Sequence, residues 1–187
     1  MNCGFLFNHT YEQLTYEVEY EAGRSQSAFF TKYLKDVVSF LYESVSELNS
    51  VVEVGAGDCE FAKEFCKINA SVNYFAYDPS WKKVQYEKLN NITFLPKYYD
   101  SYTLNYPDIV IARHVLEHQS DVQGFIKTLV NEKSRYLFIE IPCSSFVLNG
   151  NNYHYFSYEH CSYFDKISLN LIMDNYGYEL EKQDYYF

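Results

Sequence analysis

Positive charge is scarce in this chain: 15 Lys and Arg stand against 25 Asp and Glu, for a formal net charge of -10. Such a surface repels a phosphate backbone instead of releasing its counterions, which excludes nucleic acid as the first-choice partner. Long apolar runs are missing as well. Stretches such as 136 to 139 fall far short of a membrane span, and the opening MNCGFLFNHTYEQ has neither a basic start nor an extended apolar segment. An unprocessed, cytoplasmic protein with no membrane contact is expected. Cysteines are few and odd in number, at 3, 59, 66, 143 and 161, and none form a C-x-x-C pair. That excludes a disulfide framework and reads as reduced thiols.

Aromatic side chains, by contrast, are abundant: 21 Tyr, 15 Phe and one Trp make up 20% of the residues. Tyr offers a flat apolar body with a polar tip, which suits a walled pocket and a plain core equally. Hydrophobic residues at 48% and charged residues at 21% are ordinary globular values. A chain of 187 residues buries about 70% of its unfolded surface and supports one core.

Residues 1 to 26 are polar and rich in Tyr and Glu, and read as a lead-in able to lie over a pocket; 27 to 187 read as one domain. From 27 to 48 apolar residues recur at three- and four-residue steps, as on a helix with one buried stripe. The β-branched run VVEV follows and ends at Gly55-Ala56-Gly57, with Asp58 as the expected cap of the next helix. NYFAYD (73 to 78), NITFLP (91 to 96), DIVIARHVL (108 to 116) and SRYLFIEIP (134 to 142) read as further strands. Helices are expected at 80 to 89, after Ser120 or Asp121, and from 165 to 176 with Gly177 as its cap; YELEKQDYYF reads as a sixth strand. Alternating strands and helices predict an α/β fold with a mostly parallel, doubly wound sheet covered by helices on both faces.

Ligands in such sheets sit beyond the carboxyl ends of the strands, where strand order reverses. The glycine turn at 55 to 57 is the first candidate. A dinucleotide fingerprint is disfavoured because Glu60 occupies the position of its last small residue, and a carboxylate there repels pyrophosphate. What remains is E-x-G-x-G-D, with an acidic residue, Asp78, closing the second strand 23 positions after Gly55. The glycines let a ligand approach the backbone, and the carboxylate can accept both hydrogen bonds of a ribose diol. This resembles the S-adenosylmethionine (SAM) site of class I methyltransferases. The resemblance implies a Rossmann-like methyltransferase fold, with Glu53, Gly55 and Gly57 at the methionine end of the cofactor and Asp78 at the ribose. Cys59 stands where that family often has a third glycine.

Two further blocks carry chemistry. ARHVLEH (112 to 118) places Arg113 and His114 at the exit of the fourth strand, beside the cofactor, and Glu117 and His118 at the start of a helix. Taken singly, each of these also fits a structural place. HYFSYEHCSYFD (154 to 165) lies between the fifth strand and the next helix, on the side facing the cofactor, where His160 can take a proton near neutral pH. An aromatic loop plugging the open end of the sheet is the plainer alternative. The spacing of His154 and His160 gives no zinc pattern, and no metal is expected.

Read in order, ARHVLEH, FIEIP and EHCSYF resemble the sugar C-methyltransferases that act on nucleotide-linked keto-deoxysugars. By that resemblance the fold is a SAM-dependent methyltransferase truncated at both ends. The same resemblance implies that CGFLFN (3 to 8) is the tail of a zinc module and that a rear substrate domain is absent. The resemblance implies His160 as catalytic base, with Glu159 and Tyr158 beside it; Ser157 falls where the family has Tyr. It also implies cofactor contacts from Tyr20 and Ser27. The expected partner is a small, nucleotide-sugar-like molecule, with a partner subunit or a homo-oligomer left open. O- or N-methylation of another metabolite and a non-catalytic SAM-fold subunit are the alternatives.

Overall fold

A computed structural model describes residues 5–11, 27–45, 47–80, 91–100, 106–130, 134–150 and 153–186. Strands β2 (Ser50–Val54), β3 (Asn73–Tyr77), β4 (Ile92–Leu95), β5 (Ile109–Arg113) and β6 (Tyr136–Glu140) form one sheet of order β4-β3-β2-β5-β6, and every pairing in it is parallel. The chain winds outward from β2 to β4, then crosses back to β5 and β6 on the other side. Strand order therefore reverses between β2 and β5, and the carboxyl ends of these two strands are the predicted ligand position.

Period-two alternation splits the strands between two cores. Val51, Tyr74, Ile109 and Ile111 face helices α1 (Ala28–Ser44) and α2 (Glu60–Ile68), whereas Val52, Tyr77, Val110 and Ala112 face the other way. That second face is covered by α3 (Val122–Val130) and α5 (Lys166–Asp174), whose Ile126 and Met173 pack with Leu116 and Phe164. Ser27 caps α1, its side chain accepting from Phe30 N at 3.4 Å. Asp165 and Ser168 form a reciprocal capping box at the start of α5. Asp121, one of the two expected caps, holds Gly124 N at 2.9 Å at the start of α3. Gly177, with a φ of 77°, closes the turn after α5 by donating to Asp174 O at 3.1 Å.

Several expectations are corrected. The residue before α2 is Cys59, not Asp58, and it takes a left-handed φ of 57°. The turn therefore runs one residue further than the glycine pattern suggested, and Cys59 takes a left-handed conformation despite its Cβ. Glu117 and His118 stand on a separate 3-10 turn, Leu116–His118, and do not begin α3. Residues 178–186 form no strand: Tyr178 Oη donates to Ser134 O at 3.1 Å and Tyr186 packs on Tyr33 at 5.9 Å. Side-chain contacts, including Lys182 Nζ donating to Glu43 O at 3.3 Å, and no ladder of backbone bonds, hold this segment, whose residues 179–185 are exposed. The described part of the lead-in, residues 5–11, is also tied down. Strand β1 (Leu6–Phe7) pairs antiparallel with β7 (Ser162–Tyr163), inside the loop block expected over the site. A short α4 (Ser144–Asn149) joins β6 to that loop. The helix expected over 80 to 89 lies outside the described residues apart from its first. Among the described residues no helix is long and apolar enough to cross a membrane, and Cys59, Cys66, Cys143 and Cys161 are free.

Candidate active site

The turn after β2 is bound to the end of β3. Gly55 N and Ala56 N donate to Tyr77 O at 2.8 and 3.0 Å, and Gly57 N donates to Asp78 Oδ2 at 2.8 Å. The other Asp78 oxygen accepts from Ser80 N and Ser80 Oγ at 2.9 and 2.6 Å. The two glycines have different reasons to be there. A Cβ on Gly55, whose φ is 76°, would stand 2.3 Å from Val115 Cγ2, so the turn is pressed against the exit of β5. A Cβ on Gly57, at φ 50°, would meet nothing within 4 Å, so open space lies over that backbone.

Beneath the turn sits a buried ionic layer. Glu53 accepts from Tyr74 Oη at 2.8 Å, and burial pushes its carboxyl up to about 7, with the Arg113 charge and the Tyr74 bond opposing and the Asp78 charge adding. Arg113 donates Nε–H to Glu140 Oε2 at 2.6 Å and lies 4.2 Å from the Phe61 ring centroid. It also donates to Tyr33 Oη at 3.3 Å. Two of its five N–H donors are thus spent within the protein. His114 has a φ of 52°, unusual for a residue with a Cβ, and its Nε2 meets Glu140 Oε1 at 2.8 Å. This left-handed step turns the chain after β5 back over the sheet, bringing Val115 onto Gly55 and Glu117 inward.

The loop after β6 is sewn onto that turn. Cys161 N donates to Glu117 O at 2.9 Å and Ser162 Oγ to Gln119 O at 3.3 Å. His118 Nδ1 lies 2.9 Å from Glu159 O, and His160 Nδ1 lies 2.8 Å from Tyr155 O. A carbonyl only accepts, so both Nδ1 atoms carry their protons and, in the neutral rings, both Nε2 atoms present lone pairs. The two rings meet edge to face with centroids 4.8 Å apart. Burial holds the His160 pKa below the ordinary histidine value despite the attraction of Glu117. Glu117 is 2% exposed, and neither of its carboxylate oxygens has a hydrogen-bond partner; His114 Nδ1 stands 3.4 Å from Oε1 without forming one.

A family model described as "Methyltransferase domain" matches residues 26–183. The chain belongs to this family. Solved structures agree on the fold. An O-methyltransferase family protein from Burkholderia thailandensis is similar at a TM-score of 0.64 and 12% identity, over 83% of this chain and 53% of its own. A SAM-dependent methyltransferase from Archaeoglobus fulgidus gives 0.61 and 18%, over 80% and 69%. Human N-acetylserotonin methyltransferase in complex with SAM gives 0.55 and 14%, over 80% and 49%. The chain therefore spans about half the length of the first and third of these. No match was found among curated protein sequences.

SAM is the cofactor of this methyltransferase fold, and the residues present fit it. The space over Gly57 admits a ligand against the backbone, and Asp78, with roughly four lone-pair sites on its two oxygens, retains acceptor capacity beyond its three bonds. Of the residues singled out in the sequence, Glu53, Gly55, Gly57, Asp78, Arg113, His114, Glu159 and His160 all border one extended, open cavity of roughly 1760 Å³, which also reaches both faces of the sheet, at Phe40 and at Thr128. The methyltransferase does not bring Tyr158 there: it is 54% exposed, with its ring 6.1 Å from Tyr11, whereas Tyr155 borders the cavity. Ser27 is engaged as the α1 cap outside the cavity lining, and Tyr20 lies outside the described residues. The aromatic loop is likewise divided: Tyr155 and Phe164 face the cavity, while Tyr153 and Phe156 are exposed. The grouping of Glu117 and His118 with His160 was not foreseen. The signal that could have found it is the parallel sheet itself, which places the exits of β5 and β6 side by side.

Proposed function

We propose that the protein transfers a methyl group from SAM to an oxygen-bearing small molecule, a nucleotide-linked keto sugar, with His160 as general base. One observation carries this reading: the Nδ1–H of His160 is held by Tyr155 O at 2.8 Å, which fixes the Nε2 lone pair on a ring bordering the same cavity as the glycine turn. When bound, SAM supplies a methyl group made electrophilic by its sulfonium. Glu53, Gly55 and Gly57 border the methionine end, and Asp78 accepts from the ribose hydroxyls. His160, kept neutral by burial, removes the proton that makes the acceptor nucleophilic. Tyr155, which borders the cavity, is the tyrosine proposed to donate to a developing enolate, in the role the resemblance gave to Tyr158. Arg113 and His114 act one layer below, by holding Glu140 and shaping the exit of β5. The sugar acceptor rests on the likeness of EHCSYF to the sugar C-methyltransferases.

The test is methyl transfer from labelled SAM across a panel of nucleotide sugars, with solvent deuterium exchange into the ketosugar followed in parallel. Exchange that depends on His160 supports abstraction beside a carbonyl; a product methylated on oxygen refutes the carbon route. Tight binding of S-adenosylhomocysteine with no transfer to any acceptor favours a non-catalytic partner subunit.

A further inference from the structure

We propose that Glu117, His118 and His160 bind a divalent first-row transition-metal ion at the wall of the cavity. Each offers one ligand atom, and these atoms lie within 4.8 Å of one another. Ligands on one ion at about 2.1 Å stand roughly 3 to 4 Å apart, so side-chain rotation of about an ångström closes the set.

Three independent features point to a cation here. Glu117 is a carboxylate removed from water with both oxygens lacking a hydrogen-bond partner, an arrangement that is unfavourable unless a positive charge meets it. Both histidines spend Nδ1–H on a backbone carbonyl, at 2.9 and 2.8 Å, the outer-shell bond that orients an imidazole with Nε2 toward a metal. The backbone bond from Cys161 N to Glu117 O fixes the two loops relative to each other, so the ligands come from two rigidly joined segments. Two imidazoles and one carboxylate with open positions suit zinc, iron(II), cobalt or manganese. The neighbouring Cys161 is engaged elsewhere, its Sγ donating to Glu117 O at 3.5 Å. In the ion-free chain His160 Nε2 is the base; with the ion bound it is a ligand and takes no proton.

Ion binding needs neither SAM nor an acceptor, so its failure and that of the methyltransferase reading are separate results. Titration of the chelator-stripped full chain with cobalt(II), followed by d–d absorption, should give one site without a thiolate charge-transfer band, and calorimetry with zinc should give the same stoichiometry. Glu117→Gln, His118→Ala and His160→Ala should each weaken the ion by roughly tenfold or more. Should a variant fail to fold, nitrogen-15 spectra of the unaltered chain supply the readout: zinc should shift Nε2 of His118 and His160 and leave His9 unchanged. No binding, binding indifferent to all three substitutions, a thiolate signature, or unshifted His118 and His160 nitrogens each overturn the proposal.

Discussion

Gly57 donates its backbone N–H to Asp78 Oδ2 at 2.8 Å, so the residue expected to hold the ribose also holds the turn expected to receive the methionine end. The two roles can be separated. Asp78→Ala removes both and should raise the dissociation constant of S-adenosylhomocysteine by roughly tenfold or more, with a loss of about 1–2 kcal/mol of stability. Asp78→Asn keeps an acceptor for Gly57 and should retain the stability while losing part of the affinity. Unchanged calorimetric affinity in Asp78→Ala would remove the ribose assignment.

The two glycines should respond oppositely to the same substitution. Gly55→Ala puts a Cβ 2.3 Å from Val115 Cγ2 at a left-handed φ, and should reduce soluble, folded protein. Gly57→Ala meets no neighbour within 4 Å and should cost only about 1–2 kcal/mol for its backbone conformation, while the methyl group intrudes on the cofactor. The expected outcome is a folded variant with S-adenosylhomocysteine affinity weakened at least severalfold; equal affinity would place the cofactor elsewhere.

Glu53 makes stability depend on pH in a definite direction. Its carboxyl is raised by burial from 4.5 to about 7, so across that interval the folded chain holds a proton that the unfolded chain gives up. Stability contributed by this group therefore falls as pH rises through the interval, and the cost, on the order of 3 kcal/mol, is complete above it. Glu53→Gln keeps an acceptor for Tyr74 and removes the charge. Its Tm should exceed that of the unaltered chain at pH 8 by roughly 5 °C or more and match it near pH 4. A lower Tm at pH 8 would mean that Arg113 requires the Glu53 charge.

Tyr158 and Tyr155 provide a third contrast. Tyr158→Phe alters an exposed ring beside Tyr11 and should leave kcat/KM within about twofold, whereas Tyr155→Phe removes a hydroxyl from a ring at the cavity and should lower kcat. A tenfold loss in Tyr158→Phe alone would show that the loop rearranges to bring it inward.

The alternation of strands and helices, the glycine turn and Asp78 were legible because each is local: period-two runs, turn residues and a strand-end carboxylate declare themselves within a few positions. Cys59 was read as a departure from a glycine pattern, and only the backbone showed that it takes the left-handed conformation itself. The last segment alternates only over Tyr178 to Glu181, which supplies no neighbour to pair with, and side-chain contacts prevail. Which tyrosine faces inward was not legible either, since the 3-10 turn Tyr153–Tyr155 sets it. The meeting of Glu117 and His118 with His160, more than forty positions apart, depends on the adjacency of β5 and β6, which no spacing rule contains.

The most direct measurement is made on His160→Ala, with transfer from labelled SAM and S-adenosylhomocysteine binding followed on the same preparation. S-adenosylhomocysteine affinity within about threefold of the unaltered chain, with methyl transfer reduced by roughly a hundredfold or more, is the predicted result. Transfer at the unaltered rate would contradict the account, because the His160 ring, whose Nδ1–H is held by Tyr155 O at the border of the cavity, would then have no part in the chemistry.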